Sequence, residues 1–208
     1  MITIRDGKKI LTTPLSAEEI ETLHAGDIVF LDGTLVTGRD SVHHRVEAQK
    51  QPLPVDLHGN AVFHAGPIVR KNESGKYEML AAGPTTSMRM ELFEKDFIAE
   101  TGVRVIIGKG GMGKQTEEAC KMYKAVHCIF PAGCGVLAAE RLPEITGQYW
   151  EDLGMPEMLW CCEAREFGPL MVSIDTHGNN VFENNKVIFN ERKEKALTEI
   201  SRHLNFMK

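Results

Sequence analysis

Hydrophobic positions recur at two spacings along this chain, one suited to strands and one to helices. The run Asp27-Ile-Val-Phe-Leu-Asp-Gly-Thr-Leu-Val-Thr-Gly reads as a strand pair or as one strand bulged at Gly33. Residues 61–70 (Ala-Val-Phe-His-Ala-Gly-Pro-Ile-Val-Arg) read as a strand, Lys71 to Lys76 as a turn, and Tyr77 to Ala82 as the strand that follows. Val103 to Gly108 and Val126 to Pro131 are short apolar runs of the buried type, and Glu157 to Ala164 and Leu170 to Asp175 predict two further strands. Residues 2–15 form an extended entry.

Helical spacing separates these runs. Ser16 with Glu19 three residues on is a capping box for a short helix. Arg39-Asp40 opens a helix that carries His43, His44 and Arg45 and is ended by Pro52 and Pro54. Met90, Phe93 and Phe97 share one face of a helix that starts at Thr86 or Ser87 and runs to about Glu100. Lys114 to Lys124, Gly135 to Arg141 and an amphipathic Asn184 to Leu204 complete the set. The order is strand-rich first and βαβα-like from about residue 77. It predicts one α/β domain over residues 1–208, with mixed parallel and antiparallel sheets.

Composition narrows the classes of function. A net charge of −5 leaves no basic footprint for nucleic acid. No apolar run approaches the roughly 20 residues that span a bilayer. The N-terminus lacks the apolar core of a signal peptide, so a cytoplasmic protein is expected. Five cysteines, an odd count, do not suggest a disulfide framework. Cys120, Cys128 and Cys134 are too widely spaced for a metal motif, and Cys161-Cys162 point to opposite faces of a strand, so no metal ligands are assigned here.

Three loops before helices carry candidate chemistry. Gly83-Pro-Thr-Thr-Ser-Met-Arg-Met90 combines Thr85, Thr86 and Arg89 at a helix start, an arrangement that suits an anion and equally an ordinary cap with a surface arginine. Arg39-Asp40 and Lys109 occupy two more such junctions, and together the cations can clamp both ends of a small dicarboxylate. Gly108-Lys-Gly-Gly-Met-Gly-Lys114 fits the glycine pattern of a phosphate-binding loop, but Gln115 stands where a magnesium-binding Ser or Thr belongs. A nucleotide-binding module using Lys109 to Lys114 is the reading from a different class. Asp175-Thr-His177-Gly-Asn-Asn reads as a polar turn whose Asp and His could also ligate a metal or do acid–base work, and His58 and His64 look incidental.

Arg39-Asp40 with His43, Gly83-Pro-Thr-Thr-x-x-Arg89-Met90 and Ile107-Gly-Lys109-Gly, in that order, resemble the C-terminal half of the class I iron–sulfur fumarate hydratase and tartrate dehydratase family. Lys9-Ile-Leu-Thr-Thr-Pro, Phe63-His-Ala-Gly-Pro-Ile-Val-Arg-Lys, Phe167-Gly-Pro-Leu and Ser173-Ile-Asp-Thr-His-Gly-Asn-Asn are similar to the β-type subunit of its tartrate-dehydrating members. The resemblance covers nearly the whole chain. It implies a three-layer β/β/α swivelling domain. It also implies a heterotetramer with an α subunit whose cysteines hold a 4Fe–4S cluster, the open iron taking the leaving hydroxyl. The implied reaction converts (2R,3R)-tartrate to oxaloacetate, or interconverts fumarate and malate in the nearest alternative, and the chain alone would be inactive. The implied roles are Thr85 as base for the C–H proton, Thr86 on a substrate carboxylate, and Arg39, Arg89 and Lys109 on the negative charges, with Asp40 and His43 as possible contributors. A threonine hydroxyl needs a stabilised alkoxide to act as a base. Arg89, one turn along, and the helix-start amides are expected to supply that. Ser87-Met88 depart from the small residues that follow Thr-Thr in many fumarases.

Overall fold

The computed structural model describes residues 1–203, so Leu204, expected at the end of the last helix, lies outside the described residues. A hairpin of β1 (Ile2–Arg5) and β2 (Lys8–Thr12) leads through α1 (Ala17–Ile20) to β3 (Ile28–Thr37) and α2 (Asp40–Glu47). Next come β4 (Ala61–Phe63), β5 (Ala65–Lys71), β6 (Tyr77–Pro84), a 3-10 turn at Ser87–Arg89 and α3 (Glu91–Thr101). The chain continues through β7 (Val105–Gly108), α4 (Lys114–Tyr123), β8 (Val126–Ile129), α5 (Gly135–Glu140), β9 (Glu144–Tyr149), β10 (Leu159–Ile174) and α6 (Val181–His203). It is a mixed α/β fold, as expected.

One strand holds the main sheet together. On one edge β3 pairs in parallel with β2 and then with β4, and on the other it pairs antiparallel with β10. The strands β4, β7 and β8 follow in parallel, and β8 meets the far end of β10. The pairings β3–β4–β7–β8–β10–β3 therefore close into a ring, with β2, β1 and β9 added outside it. Alternation along these strands sorts the core. Leu35, Phe63, Ile107, Cys128 and Val172 join one cluster with the β5–β6 hairpin and α5. Their neighbours Val36, Val62 and Ile106 join a second with Val42 of α2, Phe97 of α3 and Ala119 of α4. Hairpin, ring and helices form the β, β and α layers.

Several local expectations are met. The Ser16–Glu19 capping box forms in both directions, and Cys161 and Cys162 fall in different clusters. Others are corrected. Gly33 does not bulge β3; the irregularities in that pairing are extra residues on β10. Residues 61–70 are two strands in different sheets, divided at His64. Residues 159–164 and 170–174 of the two expected strands belong to one strand, β10, Glu157, Met158 and Asp175 lie outside it, and β9 has no counterpart among the expected strands. The helix expected from Thr86 or Ser87 begins instead at Glu91, after the 3-10 turn, and Thr86 makes no side-chain cap. The segment before it is held by backbone pairing with Lys109 instead.

Candidate active site

Parallel strands align their carboxyl ends, and ligands bind α/β sheets outside those ends. Here β3, β4 and β7 end side by side at Thr37, Phe63 and Gly108. Arg39, His64 and Lys109 follow directly. The loop after β6 threads between two of these ends. Thr85 N–H donates to the His64 carbonyl at 2.6 Å, Lys109 N–H donates to the Thr85 carbonyl at 3.1 Å, and Ser87 N–H donates to the Lys109 carbonyl at 3.0 Å. Thr86 and Lys109 form an isolated parallel bridge. Thr85-Thr86 and Lys109, apart in sequence, are thus one short backbone ladder.

Arg39 reaches this ladder from the other side. Its Nη1 donates to Thr85 Oγ1 at 3.4 Å, and its Nε donates to Glu157 Oε1 at 2.5 Å. Glu157 also accepts from Ser41 N–H at 3.0 Å, so one carboxylate fixes both the guanidinium and the start of α2. Glycine at position 66 makes room: a Cβ there would lie 2.5 Å from Arg39 Nη1. A cation beside a hydroxyl favours its alkoxide form. The cation against Thr85 is Arg39; Arg89 is engaged elsewhere.

Arg89 grips Asp40 through Nε at 2.8 Å and Nη2 at 2.5 Å. Burial raises the pKa of Asp40, but the Arg89 hydrogen bonds outweigh it and hold the carboxyl below its ordinary value. This forked pair ties the starts of α2 and α3 together. Thr86 and Arg89 are exposed and Lys109 is half-buried. Lys109 carries no ion pair among the described residues. The result is an open face with exposed Met88 and Leu92 beside it.

His43 lies behind this face. It is fully buried, its Nδ1 is 3.1 Å from the Arg39 carbonyl, and its neighbour His44 is exposed. His64 is far from incidental: it is buried with Glu94 and His43, and its Nδ1 is 3.1 Å from Ser87 Oγ. Spacing could have flagged Glu94, a carboxylate on the same buried face as Met90 and Phe97. Nothing local announces Glu157.

The glycine-rich loop holds an anion of its own. Glu91 accepts from the N–H groups of Gly113, Gln115 and Thr116 at 2.7, 2.9 and 3.3 Å, and from Thr116 Oγ1 at 2.7 Å. A Cβ at Gly113 would meet that carboxylate at 2.6 Å. The seat a nucleotide phosphate would need at the start of α4 is therefore filled from within the chain. Asp175 is likewise committed to its turn, accepting from Ala25, His177 and Asn179.

The cysteines do not fit an iron–sulfur cluster. A cluster is held by several cysteine thiolates brought together, and among the described residues no group of three side chains placed to share a metal includes a cysteine. Burial pushes the Cys128 and Cys162 thiols up to about 12 and Cys161 to about 11. Cys161 and Cys162 also face opposite sides of β10.

Known proteins share this sequence at length. Residues 5–185 match the family model described as Fumarase C-terminus. The chain is 57% identical over 201 residues to the L(+)-tartrate dehydratase subunit beta of Escherichia coli strain K12, covering 97% of this chain and all of that one. It is 39% identical over 186 residues to a putative L(+)-tartrate dehydratase subunit beta of Methanocaldococcus jannaschii, covering 86% of this chain and 94% of that one. It is 36% identical over 173 residues to a putative fumarate hydratase class I of Geobacillus stearothermophilus, covering 83% of this chain and 33% of that longer one. With the ordered motifs set around one ladder at the strand ends, the chain belongs to the Fumarase C-terminus family.

Proposed function

We propose that this chain is the β subunit of a hydro-lyase that dehydrates (2R,3R)-tartrate to oxaloacetate, with Thr85 as the proton acceptor. The observation that carries the reading is the contact between Arg39 Nη1 and Thr85 Oγ1 beside Lys109, at the carboxyl ends of three parallel strands. Removing the proton next to a carboxylate builds an aci-carboxylate with added negative charge. Fixed donors aimed at that charge lower the barrier. Arg39 stabilises the Thr85 alkoxide, Lys109 and Arg89 hold substrate carboxylates, and the Thr86 hydroxyl orients one of them. Loss of the neighbouring hydroxyl gives an enol that becomes the ketone of oxaloacetate.

The partner is an α subunit carrying the 4Fe–4S cluster, in an assembly of two α and two β chains in the cytoplasm. Two observations support a split site. The chain spans the whole of the Escherichia coli β subunit but only a third of the Geobacillus protein. Its candidate site is also open to solvent at Thr86 and Arg89. The Geobacillus similarity supports a second reading, in which the assembled enzyme prefers fumarate and malate.

The test uses the assembled complex. Tartrate should be dehydrated with kcat/KM above that for malate, and Thr85→Ala should lower kcat by at least about a hundredfold, the usual scale for a general base. Full activity of Thr85→Ala would overturn the role of Thr85, and a preference for malate would overturn the substrate.

A further inference from the structure

Glu94 lies between two imidazoles in the interface between the sheet and the helices. His43 of α2, Glu94 of α3 and His64 at the end of β4 are all fully buried. Glu94 Oε2 is 3.3 Å from His43 Nε2 and 3.4 Å from His64 Nε2. Both imidazole nitrogens and both Glu94 oxygens lack any aligned hydrogen-bond partner, so these ion-pair contacts are what the carboxylate has.

The tautomers follow from the outer nitrogens. His43 Nδ1 sits 3.1 Å from the Arg39 carbonyl, and a carbonyl only accepts, so Nδ1 carries a hydrogen. Were His43 neutral, its Nε2 lone pair would face a buried carboxylate. A proton on Nε2 removes that conflict and balances the charge. His64 then needs no charge: its Nε2–H faces Glu94 and its Nδ1 accepts from the Ser87 hydroxyl. The directions of titration agree. Burial lowers the pKa of both histidines; the Glu94 charge overcomes this at His43, which ends above its ordinary value, but not at His64.

The surrounding groups leave this assignment standing. Glu47 lies on α2 beside His43 and its burial raises its pKa, while Asp40 is paired with Arg89. On α4, Cys120 is buried with its thiol pushed up, and on β8, His127 is kept neutral, pushed by burial down to about 3.

We propose that an imidazolium at His43, the Glu94 carboxylate and a neutral His64 form a buried bridge that positions the active groups. The proposal rests on the proposed function for what those groups do. One end of the bridge holds the Arg39 carbonyl. The other holds Ser87, two residues beyond Thr85, whose N–H is on the Lys109 carbonyl. Ser87 Oγ also lies over Gly108, where a Cβ would come within 1.9 Å of it. A single buried line thus touches the segments that carry Arg39, Thr85 and Lys109. His43, Glu94, His64 and Ser87 are positioning residues. A divalent metal is the rival occupant. Its bonds of about 2.0–2.1 Å set tetrahedral ligands about 3.4 Å apart, and Glu94 Oε2 stands at 3.3 and 3.4 Å from the two imidazole nitrogens, so a metal count separates the two occupants.

The complex assembled from a β chain carrying 15N-labelled histidine tests this. The His43 signals, assigned by their loss in His43→Asn, should show both ring nitrogens protonated from about pH 6 to about pH 8, while free histidine titrates near about 6.5. In the same complex Glu94→Gln should lower kcat by about tenfold or more with KM within about twofold, a misplacement effect. Glu94→Asp should restore part of it. Ser87→Ala, a milder change, should lower kcat in the same sense if Glu94→Gln fails to fold. A neutral His43, unchanged kcat in the folded variants, or one equivalent of divalent metal released from the isolated β chain only on denaturation would each overturn the proposal. Full activity of Thr85→Ala with a doubly protonated His43 would instead fell the function reading, and the positioning role with it, while leaving the buried charge established.

Discussion

At the scale of single residues, two positions separate function from stability. Gly66 is one. An alanine Cβ would sit 2.5 Å from Arg39 Nη1, the far end of a flexible side chain, and 3.2 Å from the Pro156 carbonyl oxygen, so the guanidinium must move aside and the Pro156 backbone must give slightly. Gly66→Ala should therefore lower Tm by about 2–4 °C, the scale of about 1 kcal/mol of overpacking, while lowering kcat/KM by about tenfold, because Arg39 leaves the Thr85 hydroxyl; paired thermal and kinetic measurements check this. His127 is the other. Its ring is fully buried, Nδ1 is 2.6 Å from Ser173 Oγ, and burial holds its pKa at about 3. The unfolded chain takes up that proton near about pH 6.5, so stability is lost as pH falls from there toward the folded value, by up to about 1.4 kcal/mol per unit. In urea unfolding, His127→Gln should lose less stability than the parent between about pH 6.5 and about pH 5.

At the scale of elements, Glu91 sits at the start of one helix and caps another. It opens α3, and its carboxylate takes three N–H groups at the start of α4. Glu91→Ala should cost about 1–2 kcal/mol, the usual worth of a helix cap. For a chain of this size that is a fall in Tm of about 2–4 °C for each kcal/mol, read by thermal unfolding. The same contact explains why the glycine pattern before Lys114 misleads. The sequence shows glycines before a helix, but the anion that fills the helix start lies more than twenty residues upstream (|i−j| is 22 for Gly113). Helix spacing was legible for Met90, Phe97 and the Ser16 cap because those contacts are local. The helix start was misplaced at Thr86 because backbone pairing with Lys109 overrides local capping preference.

At the scale of the molecule, the candidate site is an open face. Met88 is 43% exposed and Leu92 is 70% exposed, next to the exposed Thr86 and Arg89. Charge that develops on the substrate is held best away from bulk solvent, so the partner subunit is expected to cover this face. Hydrogen exchange of this chain with and without the α subunit should show new protection over residues 85–92. Unchanged exchange there in an active complex would place the partner elsewhere. No helix among the described residues is long and apolar enough to cross a membrane.

The sequence by itself determined the strand and helix periods, the two faces at Cys161-Cys162, and the ordered motifs around Arg39, Thr85 and Lys109 that mark the family. These are local patterns or fixed strings, and local sterics or direct comparison reads them. Tertiary structure alone decided that Arg39 rather than Arg89 meets Thr85, that Glu157 anchors Arg39 across 118 residues, and that His64 joins His43 and Glu94. Such contacts depend on which strand ends lie side by side. That is set by closure of the ring through β3 and β10, which no local spacing records.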